Sequence, residues 1–235
     1  MSLCHNILRN VNSVLLFSSL SRCGVRASIS RSPRIVPQIR PLVTLNESLR
    51  ETFKKHGIIP QVVDDFTPTA LLSVTYPKVE VSVGNTISPE DTQDEPVIRV
   101  TPAKAKPNGD KPGEPAIYTI VLTDPDAPSR ENPKNAEFCH WIQTGLTADD
   151  TIFYSKSRAL MKYMGPAPPP KTGKHRYVFL LYRGSNKDLQ EPKDRVRWGN
   201  PEQKKGVTVG VRKWAKEGGL ELVGANFFYA QNKEQ

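Results

Sequence analysis

Leu45, Leu49 and Phe53 recur four residues apart, which places them on one face of a helix. Thr44 or Asn46 supplies a cap, Lys54, Lys55 and His56 bring positive charge to the last turn, and Gly57 ends it. After Pro60 the pattern changes. Proline recurs at positions 68, 77, 89, 96, 102, 107, 112 and 115, with short Val, Ile and Thr runs between. Helices do not grow among prolines so closely spaced, whereas short strands separated by turns do. Strands are predicted at 71–76, 79–83, 97–100, 117–123 and 176–182. In the last, Tyr177, Phe179 and Leu181 share one face and Val178, Leu180 and Tyr182 the other, so it reads as a central strand apolar on both sides.

Residues 102–115 are rich in Pro, Lys and Gly without periodicity and read as a surface loop. Further on, Asn200-Pro201-Glu202 has the form of a helix start. Val207, Val211 and Trp214 mark one face of that helix until Gly218-Gly219 stops it, and 220–230 returns to strand character. The domain is therefore expected to be mainly β, with a few helices packed on it.

Charge divides the chain. It has 235 residues, with 33 Lys and Arg against 24 Asp and Glu, a formal charge of +9. Residues 1–46 hold six arginines and neither Lys, Asp nor Glu, which leaves only 27 basic against 24 acidic residues in the remainder. The excess therefore gives little support to nucleic-acid binding and marks residues 1–44 as an N-terminal extension, with the domain proper at 45–235. An Arg- and Ser-rich, acid-free segment suits a mitochondrial presequence; a secretory signal and a non-targeting tail are the rivals. A presequence implies mitochondria; otherwise the cytoplasm is expected, with association with the vacuole left open. The apolar run Val14, Leu15, Leu16, Phe17 is far too short for a membrane span. Cys4 and Cys23 lie in the extension, so Cys139 has no bridging partner within the domain.

Three stretches carry candidate chemistry. Asp124-Pro125-Asp126-Ala127-Pro128 follows an apolar run, and its prolines fix the backbone. It reads equally as a capped turn and as a rigid pair of binding carboxylates. In Phe138-Cys139-His140-Trp141 neighbours on an extended chain face opposite ways, so Cys139 and His140 make a poor catalytic dyad. Cys139 reads as core filler, and His140 as either a core residue or a ligand. Residues 165–177 combine a proline run with Gly173 and deliver His175 at the mouth of the central strand. They form neither a Walker loop nor a dinucleotide fingerprint, and no Gly-x-Ser-x-Gly hydrolase signature occurs.

Together, DPDAPSR at 124–130, Glu-aromatic-x-His at 137–140 and GxxPPxxGxHRY at 165–177 resemble the phosphatidylethanolamine-binding protein family, in particular its fungal branch. The resemblance covers about residue 45 to the C-terminus. It implies two antiparallel β-sheets with peripheral helices and a small pocket for anions such as phosphate or a phospholipid head group. By motif position the pocket residues are Asp124, Asp126, Phe138, His140, Pro168, His175 and Tyr177. The carboxylates are expected to hydrogen-bond the imidazoles and favour their charged forms, which then donate to the anion. Ala167 stands where many members have Gly, Asn135 where animal members have a pocket tyrosine, and Cys139 where they have a second histidine. The resemblance implies a non-enzymatic protein without cofactor or metal that inhibits a serine carboxypeptidase of the carboxypeptidase Y type. The alternatives are a signalling scaffold contacting other proteins, and a metal-dependent enzyme using Asp124, His140 and His175.

Overall fold

The structure, a computed structural model, describes residues 42–102, 116–147, 158–184, 189–198 and 210–235. The first helix, α1 (Leu42–Lys55), begins ahead of the expected caps, so Thr44 and Asn46 lie inside it. Of its apolar stripe Phe53 is fully buried and Leu49 packs against the core, while Leu45 stays 42% exposed. Gly57 closes it with φ of 69°, and Ile58 N–H donates to the Phe53 carbonyl at 2.8 Å.

Strands β1 (Ala70–Thr75) and β2 (Val97–Pro102) form a two-stranded antiparallel sheet. The predicted strand at 79–83 does not form. The chain turns tightly between Tyr76 and Val79, pairs once at Glu80 with Thr75, and then turns again at Ser82–Asn85. Pro77 permits the turn, and the Asn85 side chain, accepting from Ser82 N–H, ends the pairing after one bridge. A 3-10 turn at Pro89–Thr92 follows.

The larger sheet contains β3 (Ile117–Asp124), β4 (Phe138–Thr147), β5 (Arg158–Met161), β6 (His175–Arg183) and β7 (Glu221–Ala230), in the order β5-β4-β3-β6-β7, all antiparallel. Strand β6 lies between two neighbours, as its apolar alternation requires. Val178, Leu180 and Tyr182 face a core shared with α1 and with α2 (Gly210–Glu217); Tyr177, Phe179 and Leu181 face a second core shared with the small sheet. Asn226 ties the two sheets together, its amide donating to the carbonyls of Leu72 and Val81.

Helix α2 ends as predicted, with Gly219 at φ of 63°. The expected start at Asn200, together with Val207, lies outside the described residues, as does nearly all of the loop expected at 102–115. No helix among the described residues is long and apolar enough to cross a membrane.

Candidate ligand-binding site

The site lies where β3, β4 and β6 end together. The pleat directs Asp124, at the end of β3, and His175 and Tyr177, at the start of β6, to the same face as Leu122 and Phe179. His140 arrives by a different device. Leu122 pairs with Trp141 and Thr123 with Cys139, so His140 is an extra residue opposite neither, a β-bulge. The bulge explains why Cys139 and Trp141, two residues apart, pack into different cores.

Asp124, Phe138, His140, His175 and Tyr177 line one cavity of about 250 Å3, with Asn135 and Ala167 at its wall. Ala127, Pro128, Met164, Gly165 and Pro169 complete a mostly apolar collar, and Met164 is 44% exposed at the mouth. The last five were not singled out from the sequence as lining residues, although all but Met164 belong to its two proline-bearing motifs.

Two expected pocket residues are placed elsewhere. Asp126 does not line the cavity, because β3 ends at Asp124 and the following turn swings its side chain toward Arg176. The Arg176 guanidinium donates to both carboxylate oxygens, from Nε at 2.8 Å and Nη2 at 2.6 Å, and its backbone N–H adds a third bond at 2.8 Å. Pro168 is buried and lines a neighbouring groove with Gln93 and Asn232 instead of the cavity, whereas Ala167 and Pro169 line both.

The two histidines differ in charge, contrary to the expectation that carboxylates would hold both. His175, 1% exposed, has Nδ1 2.8 Å from Asp124 Oδ2, an oxygen that can only accept. Its Nε2 lies 3.0 Å from Thr172 Oγ1, whose own proton goes to the Pro169 carbonyl at 2.7 Å. Both ring nitrogens must therefore donate, so His175 is an imidazolium. Burial opposes that charge, but the hydrogen bond and charge of Asp124, with the charge of Asp126, outweigh it and the pKa is raised. The other Asp124 oxygen accepts from Asp126 N–H at 2.7 Å.

His140 is instead fixed by a carbonyl. Its Nδ1 lies 2.7 Å from Met164 O and must carry the proton. Burial lowers its pKa, and although the charge of Asp124 and the Met164 carbonyl push the other way, the ring stays neutral. It stands edge-on to Tyr177, with ring centroids 5.2 Å apart, and 4.8 Å from Phe138. Cys139 is fully buried in the helix-side core, where burial pushes its thiol up to about 12. It stands apart from the imidazole and is inert as a nucleophile.

Among the described residues no group of three His, Cys, Asp or Glu is arranged to hold a metal ion. Asp124 and His175 satisfy each other, and the arrangement suits holding a small polar group under an apolar collar.

The sequence model of the Phosphatidylethanolamine-binding protein family matches residues 67–228. The chain belongs to that family. It is 37% identical over 211 residues to the carboxypeptidase Y inhibitor of Saccharomyces cerevisiae, across 78% of this chain and 94% of that protein. A putative odorant-binding protein A5 of Drosophila melanogaster is 31% identical over 63% of this chain and 65% of its own length. Among solved structures, carboxypeptidase Y inhibitor complexed with its cognate proteinase matches with a TM-score of 0.70 and 38% identity, covering 80% of this chain and 97% of the other. A Plasmodium vivax phosphatidylethanolamine-binding protein shares the fold, with a TM-score of 0.64 at 22% identity, over 78% of this chain and 97% of that one.

Proposed function

We propose that this protein is a regulator without catalytic activity that inhibits a serine carboxypeptidase of the carboxypeptidase Y type and holds a phosphate-bearing group in the cavity. The observation that carries the inhibitory reading is similarity at full length. The chain aligns with nearly the whole of the yeast inhibitor, and its fold follows the inhibitor as it stands in the proteinase complex. The cavity supports the second half. It offers the charge of a buried imidazolium, whose two N–H groups are held by Asp124 and Thr172, and the Tyr177 hydroxyl, and about 250 Å3 accommodates a phosphate with a short substituent.

The test is residual peptidase activity. Carboxypeptidase Y is incubated with the full-length chain and with a form beginning at residue 45, each at about micromolar concentration. Inhibition by either form is the expected outcome, and its absence with both overturns the inhibitory reading. Sequencing the mature N-terminus by mass spectrometry then tells which form the cell contains. Phosphate binding is tested separately by calorimetry.

A further inference from the structure

The cavity's one open polar ring atom is an acceptor, and a phosphate is an acceptor too. His140 Nδ1 spends the ring's single proton on the Met164 carbonyl. Nε2 therefore presents a lone pair, and no described residue donates to it. His175 cannot take its place as a donor, because its two N–H groups already serve Asp124 and Thr172. A phosphate oxygen brought against Nε2 would meet lone pair with lone pair in a largely apolar enclosure, and an unmade buried hydrogen bond is costly there.

We propose that the cavity selects phosphate species by their protons: it accepts a phosphate that brings an acidic O–H to His140 Nε2, and accepts a phosphodiester only with uptake of one proton from solvent onto that nitrogen. The inference rests on the phosphate reading above. In the first case the ligand's P–O–H donates to Nε2 and nothing else changes hands. In the second a solvent proton binds Nε2, the ring becomes an imidazolium, and Nε2–H donates to a non-bridging oxygen of the diester monoanion. The Tyr177 O–H donates in both cases.

The surroundings of His140 decide how readily that proton is taken. Asp124 on β3 favours it, as does the Met164 carbonyl; His175 on β6 and Arg195, whose guanidinium donates to the His140 carbonyl at 3.0 Å, oppose it. Tyr177 faces the ring uncharged, because burial and the charge of Asp124 raise its pKa. A bound phosphate adds a negative charge beside Nε2 and shifts the balance toward the charged ring.

Isothermal titration calorimetry of the whole chain between about pH 6 and about pH 9, in buffers of different ionisation enthalpy, tests this with two probes. For glycerophosphoethanolamine, a diester, about one proton is taken up per site, and affinity falls about tenfold per pH unit above the His140 pKa. For inorganic phosphate, which keeps one O–H across the upper half of that range, affinity is nearly flat above about pH 8. His140→Gln places an amide donor on the cavity wall and makes diester binding independent of pH. Diester binding of equal strength across the range without proton uptake overturns the proposal, as does a pH dependence that persists in H140Q, since the proton would then belong to His175. If neither probe binds at any pH, the phosphate reading itself fails, and this inference with it.

Discussion

Asp126 and Arg176 form a closed pair beneath the cavity, each almost wholly buried, with two side-chain hydrogen bonds of 2.8 and 2.6 Å between them. Arg176 Nη1 reaches on to the carbonyls of His56 and Gly57 and to Gln61 Oε1, just beyond the end of α1. The second carboxylate of the DPDAPSR motif thus joins the turn that carries Asp124 to the first helix and to β6. Its work is structural.

Asp126→Asn should therefore destabilise the fold by about 3–5 kcal/mol, since it leaves a buried guanidinium without its counter-charge. Urea unfolding measures the loss. Phosphate affinity of the folded fraction should change little; a large affinity loss at unchanged stability would return Asp126 to the binding site.

Asp124→Asn should lower the pKa of His175 below the ordinary value of 6.5, because burial then acts with less opposition. Proton NMR titration of the imidazole reads it directly. In the wild type the raised pKa gives stability that is complete below the unfolded-state value of 6.5 and is lost as pH rises through the folded-state value. The decline should be absent in D124N.

Glu137 makes a prediction of the same sign in a lower pH window. Its Oε2 accepts from Thr123 Oγ1 at 3.0 Å and Val211 N–H at 3.4 Å, its Oε1 has no partner, and burial pushes its pKa up to about 7. The protonated form is favoured in the fold, so stability should fall as pH rises from about 4.5 to about 7 and level off above. Glu137→Gln keeps an acceptor for both donors and cannot ionise. It should be more stable than the wild type at pH 8, by roughly 2–3 kcal/mol, with little change across that window, as read by denaturant unfolding at several pH values.

Two residues outside all three motifs hold the proline-rich wall. Gln93 Nε2 donates to Pro166 O at 2.9 Å, and Asn232 Nδ2 to Pro168 O at 3.1 Å. Each replaced by Ala should weaken phosphate binding by about three- to tenfold, the worth of one hydrogen bond that fixes a wall. Hydrogen exchange of Lys171 N–H and Gly173 N–H, which are bonded to Glu234 and Gln235, should quicken in N232A. Unchanged exchange and affinity would show that the prolines hold the wall by themselves.

The central strand and its two-sided burial were legible in the chain, because the period-two pleat is written locally. The set of Asp124, Phe138, His140, His175 and Tyr177 came instead from the resemblance of the motifs, and the fold brings these five to one cavity. The sequence also marked the glycines that end α1 and α2, since a left-handed turn is a local demand. What each polar group does depended on contacts between distant segments. Asp126 turned to Arg176, 50 residues on, and Pro168 turned to a groove that Asn232 helps to line. His140 entered the cavity through a bulge and lost its expected charge to burial, while its Nδ1 found a carbonyl 24 residues away. A buried polar atom must find a partner, and which partner lies within reach depends on chain segments that meet only after the sheet has closed.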